Sequence, residues 1–251
     1  MHRFYLPPGQ CQDNILLLKN SEAHHAIDVL RIRAGERVVV LDGAGQELLC
    51  EAQKPEHGQV KLTVVQRNQV PPLPYQITLL QAIPKGKIIE SIIQKATELG
   101  VWHIVPLLSD RVTTQLDDES AAAKTEKWQQ TAIEAIKQCG SAWLPQIEAP
   151  ITPKEYLARN EKFELPLIAS LQGDCRHPRE YFKTYYAEKK RLPKTVCVWV
   201  GPEGDFTPAE MNSVKSAGAL PITLGRLVLR SETAAVYALS VLNYELQSKY
   251  A

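Results

Sequence analysis

The stretch 196–233, VCVWVGPEGDFTPAEMNSVKSAGALPITLGRLVLRSET, restricts the possible folds more than any other part of the chain. An apolar run through Val196, Val198, Trp199 and Val200 is too short for a helix of its own, and it stops at Gly201-Pro202-Glu203-Gly204. A helix opens directly after that loop. Thr207 is its expected N-cap, Pro208 suits the first turn, where its missing N–H is not needed, and Glu210 completes a capping box. The same logic repeats downstream. Gly218 ends the helix, 220–224 reads as a short strand, and Gly225 breaks it. The polar cluster Arg230-Ser231-Glu232-Thr233 then opens a long apolar helix, 234–246, with Ser231 as its expected cap. Two glycine-marked loops leaving two short strands make a compact ligand cradle at the carboxyl ends of a parallel sheet.

Upstream, the chain changes character once. Residues 1–68 read as short strands at 3–6, 15–18, 37–41, 47–52 and 59–65, interrupted by one short helix that Ser21 is placed to cap. Five strands and a helix in so short a span suggest a small β-barrel. Val70-Pro71-Pro72-Leu73-Pro74 suits neither a strand nor a helix interior and marks a domain boundary, giving domains at 1–70 and 75–251. Beyond it strands and helices alternate: strand 75–82, helix 87–99, strand 103–108, an acidic loop through Asp117-Asp118-Glu119, helix 121–139, short helix 152–159, strand 165–171 and helix 178–190. That repetition predicts an α/β fold with a mostly parallel sheet covered by helices on both faces.

Composition removes several function classes. With 29 basic against 28 acidic residues there is no global pull toward nucleic acid, so any RNA site has to be a local patch. Cys11, Cys50, Cys139, Cys175 and Cys197 contain no C-x-x-C pair and are odd in number, so neither a disulfide framework nor a zinc site is expected, and no metal. Neither a secretory leader nor a run of membrane-spanning length is read from the sequence, which leads to the expectation of a cytoplasmic protein without a membrane partner.

The chemistry-bearing residues each have a plain structural reading beside the functional one. GPEG is at least a tight turn, but Glu203 stands between two glycines at the end of a buried strand, where the chain can approach a ligand closely. The loop carries neither G-x-G-x-x-G nor a P-loop, which argues against a dinucleotide or triphosphate. Arg230 precedes a helix N-terminus, on the unfavourable side of the dipole, and this makes it a candidate for contacting an anion.

GPEGDFTPAE followed by LGRLVLRSETAA, with KATELGVWHIVPLLSDR upstream and MHRFYLP and HHAIDVLRIRAGERVVVLDG at the start, resembles the bacterial 16S ribosomal RNA (uracil-N3)-methyltransferase family of the trefoil-knotted SPOUT superfamily. The resemblance runs along essentially the whole chain. It implies a small N-terminal PUA-like RNA-binding β-barrel and a C-terminal α/β domain with a deep trefoil knot. It implies S-adenosylmethionine as methyl donor, held by Leu171, Gly201, Pro202, Glu203, Gly204, Leu224, Gly225, Val228, Leu229 and Arg230. It further implies a homodimer through the knot domain and a uridine of 16S ribosomal RNA, naked or in the small ribosomal subunit, as acceptor. Three departures stand out. Asp205 occupies a position usually held by a second glycine, Arg226-Leu227 stand where the family usually has proline followed by arginine, and Lys137-Gln138-Cys139-Gly140-Ser141 replaces a segment that commonly reads E-Q-[SC]-x-R.

Methylation at uracil N3 requires the N3 proton to leave. Arg230 is the candidate to stabilise the resulting anion, and Glu203 either orients the base or helps take the proton. Arg3, Arg31 and Arg33 in the first domain and Arg111 in the second are the candidate RNA contacts, with a solvated surface as the alternative for the first three. The competing functional readings are ribose 2′-O methylation by the same cradle and a non-catalytic RNA-binding assembly factor.

Overall fold

The computed structural model describes residues 1–112, 118–171 and 174–247. The expected acidic loop falls partly outside them, because Asp117 is not described and Asp118 already opens a helix. The chain divides into two units, one of Met1–Pro72 with Ile133–Leu144 and one of Leu73–Ala132 with Pro145–Ala251.

The first unit is built on β1 (Arg3–Tyr5), β2 (Ile15–Leu18), α1 (Asn20–His24), β3 (Arg37–Leu41), β4 (Gln46–Ala52) and β5 (Val60–Gln69). The strands form one sheet in the order β1-β3-β4-β5-β2, with β1 parallel to β3 and the other pairs antiparallel. Phe4, Leu16, Leu18, Val38, Val40, Leu48, Cys50 and Leu62 fill its core, and most recur at every second position, as one buried sheet face requires. The register shifts between Leu49 and Cys50, whose partners are Gln66 and Val64, so Val65 is the extra residue of a bulge in β5. The helix start differs from expectation. Lys19 is its N-cap and no side chain bonds there, so Ser21 lies inside α1, and the helix continues as a π-turn over His25–Val29.

In the second unit β6 (Gln76–Ala82), α2 (Ile88–Glu98), β7 (His103–Leu107), α3 (Asp118–Cys139), β8 (Gln146–Ile147), α4 (Pro153–Ala158) and β9 (Leu165–Ala169) come first. They are followed by α5 (Pro178–Lys189), β10 (Thr195–Val200), α6 (Pro208–Ser216), β11 (Leu220–Ile222) and α7 (Ser231–Gln247). The six strands form a parallel sheet in the order β11-β9-β10-β6-β7-β8. β10 lies between β9 and β6 and is covered on both faces, which is why its sequence is a continuous apolar run instead of an alternation. On one face Trp199 meets Tyr156 and Phe206 edge-on, with ring centroids 5.4 and 6.3 Å apart, in a cluster with Leu80, Val105 and Met211. α2 buries Ile89, Ile92, Ile93 and Ala96, and it packs with α7, where the Asn243 side chain donates to the Leu99 carbonyl at 3.0 Å.

The segment 133–144, which carries the KQCGS departure, groups with the first unit. Arg3 Nη1 donates to the carbonyls of Lys137 and Gln138 at 3.3 and 3.1 Å, placing a cation on the negative end of α3. The chain then turns at Gly140, with φ 81°, where a Cβ would sit 2.9 Å from Arg3 Nη2. Lys137 is buried, and its Nζ bonds Glu22 at 2.7 Å and Glu134 at 2.8 Å. Burial alone would lower the Lys137 pKa, but the hydrogen bonds to Glu134 and Glu22 outweigh it and the net shift is upward. Lys137→Ala would leave the buried Glu22 carboxylate without its cation and is expected to lower stability by about 3 kcal/mol, read from chemical denaturation.

Candidate active site

The parallel strands β9, β10 and β11 end on the same edge of the sheet, and the loops that leave them close around a cavity of about 230 Å³. The loop after β9 contributes Ser170 and Leu171, the loop after β10 contributes Gly201, Pro202, Glu203 and Asp205, and the loop after β11 contributes residues 223–229. Ser231 and Ala234 from the first turn of α7 close the wall. Of the residues assigned to the donor, Leu171, Gly201, Pro202, Glu203, Leu224, Gly225, Val228 and Leu229 line this cavity, while Gly204 and Arg230 do not.

Main-chain geometry explains the loop sequences. Asp205 N–H donates to the Pro202 carbonyl at 2.9 Å, closing a turn that leaves Asp205 at φ 62°. A glycine suits that left-handed position without strain. Aspartate tolerates it here with its own Oδ1 accepting the Phe206 N–H at 2.8 Å. α6 then starts with the expected capping box of Thr207 and Glu210. In the third loop Gly225 has φ 114°, and its N–H donates to Thr223 Oγ1 at 3.2 Å.

Side-chain hydrogen bonds tie the GPEG loop and the start of α6 to the loops after β6 and β7. Glu203 Oε1 accepts the backbone N–H of Lys85 at 3.1 Å, so its carboxylate is held at the loop after β6. Arg111 donates to the Gly204 carbonyl, and Asp110 N–H donates to Glu210 Oε1 at 2.9 Å. Ser231 differs from its expected role as a cap. It is buried as the first residue of α7, and its hydroxyl donates to the Gly201 carbonyl at 3.0 Å while accepting from Gln81 Nε2 at 3.0 Å.

The candidate RNA contacts separate on the same grounds. Arg3 donates to the α3 carbonyls and Arg111 to the Gly204 carbonyl, each through one guanidinium nitrogen. Arg31 and Arg33 are exposed in the first unit, with Arg31 at φ 54°. Arg230 is exposed, with no hydrogen bond or ion pair from its guanidinium to another described residue. Sequence reasoning missed Ser231 as a loop tie, Lys85 as the partner of Glu203, and Gln81. The last had a signal, an amide following the apolar Leu79-Leu80 near the end of a strand, QITLLQA. Among the described residues no group of three His, Cys, Asp or Glu side chains is placed to hold a metal ion.

Residues 71–243 match the RNA methyltransferase domain family, and residues 18–65 match the RNA methyltransferase PUA domain. The chain belongs to the RNA methyltransferase family. This RNA methyltransferase is 30% identical to ribosomal RNA small subunit methyltransferase E of Bacillus subtilis, over 92% of its own length and 90% of that protein's. It is 32% identical to the Synechocystis protein of the same name over 98% of its length and 78% of that protein's. A methyltransferase from Legionella pneumophila, solved with bound S-adenosylmethionine, superposes with a TM-score of 0.86 at 32% identity, covering 96% of both chains. The fold is therefore a PUA-like unit joined in sequence to a parallel-sheet, SPOUT-like methyltransferase unit.

Proposed function

We propose that this RNA methyltransferase transfers a methyl group from S-adenosylmethionine, held in the cradle, to N3 of a uridine in 16S ribosomal RNA of the small subunit. The observation that carries this reading is the convergence of the loops after β9, β10 and β11 on one cavity, lined by leucine and valine side chains together with glycines, hydroxyls and two carboxylates. A mainly apolar lining with a few placed polar groups suits an organic ligand. The methyltransferase from Neisseria gonorrhoeae named ribosomal RNA small subunit methyltransferase E, solved with S-adenosylmethionine, supports it at a TM-score of 0.83 and 28% identity over 97% of each chain.

The sulfonium donor supplies an already activated methyl group. The chain's own residues then have to position, deprotonate and stabilise. Positioning falls to the Gly201–Asp205 and 223–229 loops, whose closeness fixes the donor side of an in-line transfer. Stabilisation of the uracil anion falls to Arg230, which is exposed beside the cradle with no partner among the described residues to neutralise it. Glu203 is tied to the Lys85 N–H, an arrangement that favours its orienting role over a role as base. The target uridine is unpaired or flipped out, since a base inside a stem cannot reach the cradle. In the PUA-like unit, Arg31 and Arg33 are the exposed cations proposed to hold RNA backbone.

The chain acts as a cytoplasmic homodimer through the second unit. Leu227 and Val228 are 79% and 77% exposed, and Tyr237 and Tyr244 lie two helical turns apart on one stripe of α7, an apolar surface that a second copy would cover. Sedimentation equilibrium is expected to give the dimer mass, and a monomer at micromolar concentration would remove this part of the reading. The reaction itself is tested by mapping the methyl group on nucleosides from small-subunit RNA treated with the protein, where 3-methyluridine is expected and a 2′-O-methyl nucleoside would favour the alternative.

A further inference from the structure

We infer that Gln81 is a positioning residue for methyl-donor binding, acting through Ser231 on the carbonyl of Gly201. The inference rests on the reading of the cradle as the donor site. Gln81 is fully buried near the end of β6, where its main chain pairs with Val200, the residue just before the GPEG loop. Its Nε2 donates to the Ala82 carbonyl at 2.8 Å and to Ser231 Oγ at 3.0 Å, and Ser231 passes its one hydroxyl proton to the Gly201 carbonyl at 3.0 Å.

The directions in this relay are forced. The Ser231 proton is committed to Gly201, so Ser231 can only accept from Gln81, and the Ala82 carbonyl also requires a donor. The amide nitrogen must face both. That leaves Gln81 Oε1 buried without a hydrogen-bond partner among the described residues, an arrangement that costs stability. A leucine at this position would avoid that cost. What the amide supplies instead is a fixed orientation of the Ser231 hydroxyl, which ties the first turn of α7 to the first residue of the donor loop, two elements that wall the same cavity. A buried polar group with an orphaned acceptor, linking two walls of one site, is the pattern expected where stability is given up for geometry.

The test is calorimetric titration of S-adenosylmethionine into the full chain and into Gln81→Leu, Ser231→Ala and the double variant, with thermal melting in parallel. The expected result is a donor Kd raised about tenfold in each single variant, with the double variant no weaker than the worse single one, because both cut the same relay. Gln81→Glu gives an independent readout. At neutral pH its carboxylate would face two oxygens and weaken donor binding further than Gln81→Leu. On acidification, protonation restores a donor, and affinity recovers relative to the wild-type pH profile. Wild-type binding with an unchanged Kd in Gln81→Leu, or additive losses in the double variant, would overturn the inference while leaving the donor site intact. Absence of wild-type binding, alone or with small-subunit RNA, would overturn the donor-site reading and the inference with it.

Discussion

Gly201→Val is expected to abolish binding of S-adenosylmethionine to the chain, raising Kd at least about a hundredfold at a cost of roughly 3 kcal/mol of steric strain and lost fit. A Cβ built on Gly201 lies 3.0 Å from Asp205 Oδ1, 3.2 Å from Asp205 Cα and 3.2 Å from the Phe206 nitrogen. Two of these three are backbone atoms, and that backbone is held by the Asp205–Pro202 turn and by the capping box of α6. The loop cannot give way without losing the turn that shapes it. Valine adds two further methyl groups beside the Gly201 carbonyl, which is held by Ser231. Gly9→Ala is the matched control, since nothing lies within 4 Å of a Cβ there, and it should leave donor binding unchanged. Isothermal titration of both variants checks the prediction.

Arg230→Ala is expected to lower kcat by about 10²–10³ while leaving the donor Kd nearly unchanged. Arg230 is not part of the cavity wall, so its loss should not disturb donor binding. Its backbone carbonyl still accepts the Ala234 N–H at 2.8 Å, and that bond does not depend on the side chain, so the start of α7 should survive the substitution. What disappears is an exposed cation with no partner among the described residues, adjacent in sequence to Leu229 and Ser231 of the cavity wall. Arg230→Lys keeps the charge but loses the planar fork, and intermediate activity is expected. A rise in donor Kd with unchanged kcat in Arg230→Ala would move the residue from the acceptor to the donor side.

Much of this architecture is legible in the residues because local and global signals coincide. The apolar run of β10, the T-x-x-E box of α6 and the glycine breaks at 201, 204 and 225 each specify one element, and together they specify strand, loop and helix twice over. What stayed hidden depends on tertiary partners that no spacing reveals. Ser231 has the composition of a helix cap, yet its hydroxyl is drawn away by the Gly201 carbonyl thirty residues earlier in the chain. Nothing in the sequence shows that Arg3 and Arg111 each find backbone carbonyls left open by a helix end or a tight loop. The Ser21 cap failed for a local reason, because the helix begins before it, at Asn20. The KQCGS departure is intelligible only with Glu22 and Arg3 beside it, since Lys137 and the Gly140 turn answer to those two side chains.

The most direct test of the account is to incubate the purified chain with small-subunit ribosomal RNA or assembled small subunits and methyl-labelled S-adenosylmethionine, then digest to nucleosides and separate them. The account predicts label in 3-methyluridine alone, reduced about a hundredfold or more by Arg230→Ala. Label in a 2′-O-methyl nucleoside, or no label on either substrate while the donor binds, would contradict it.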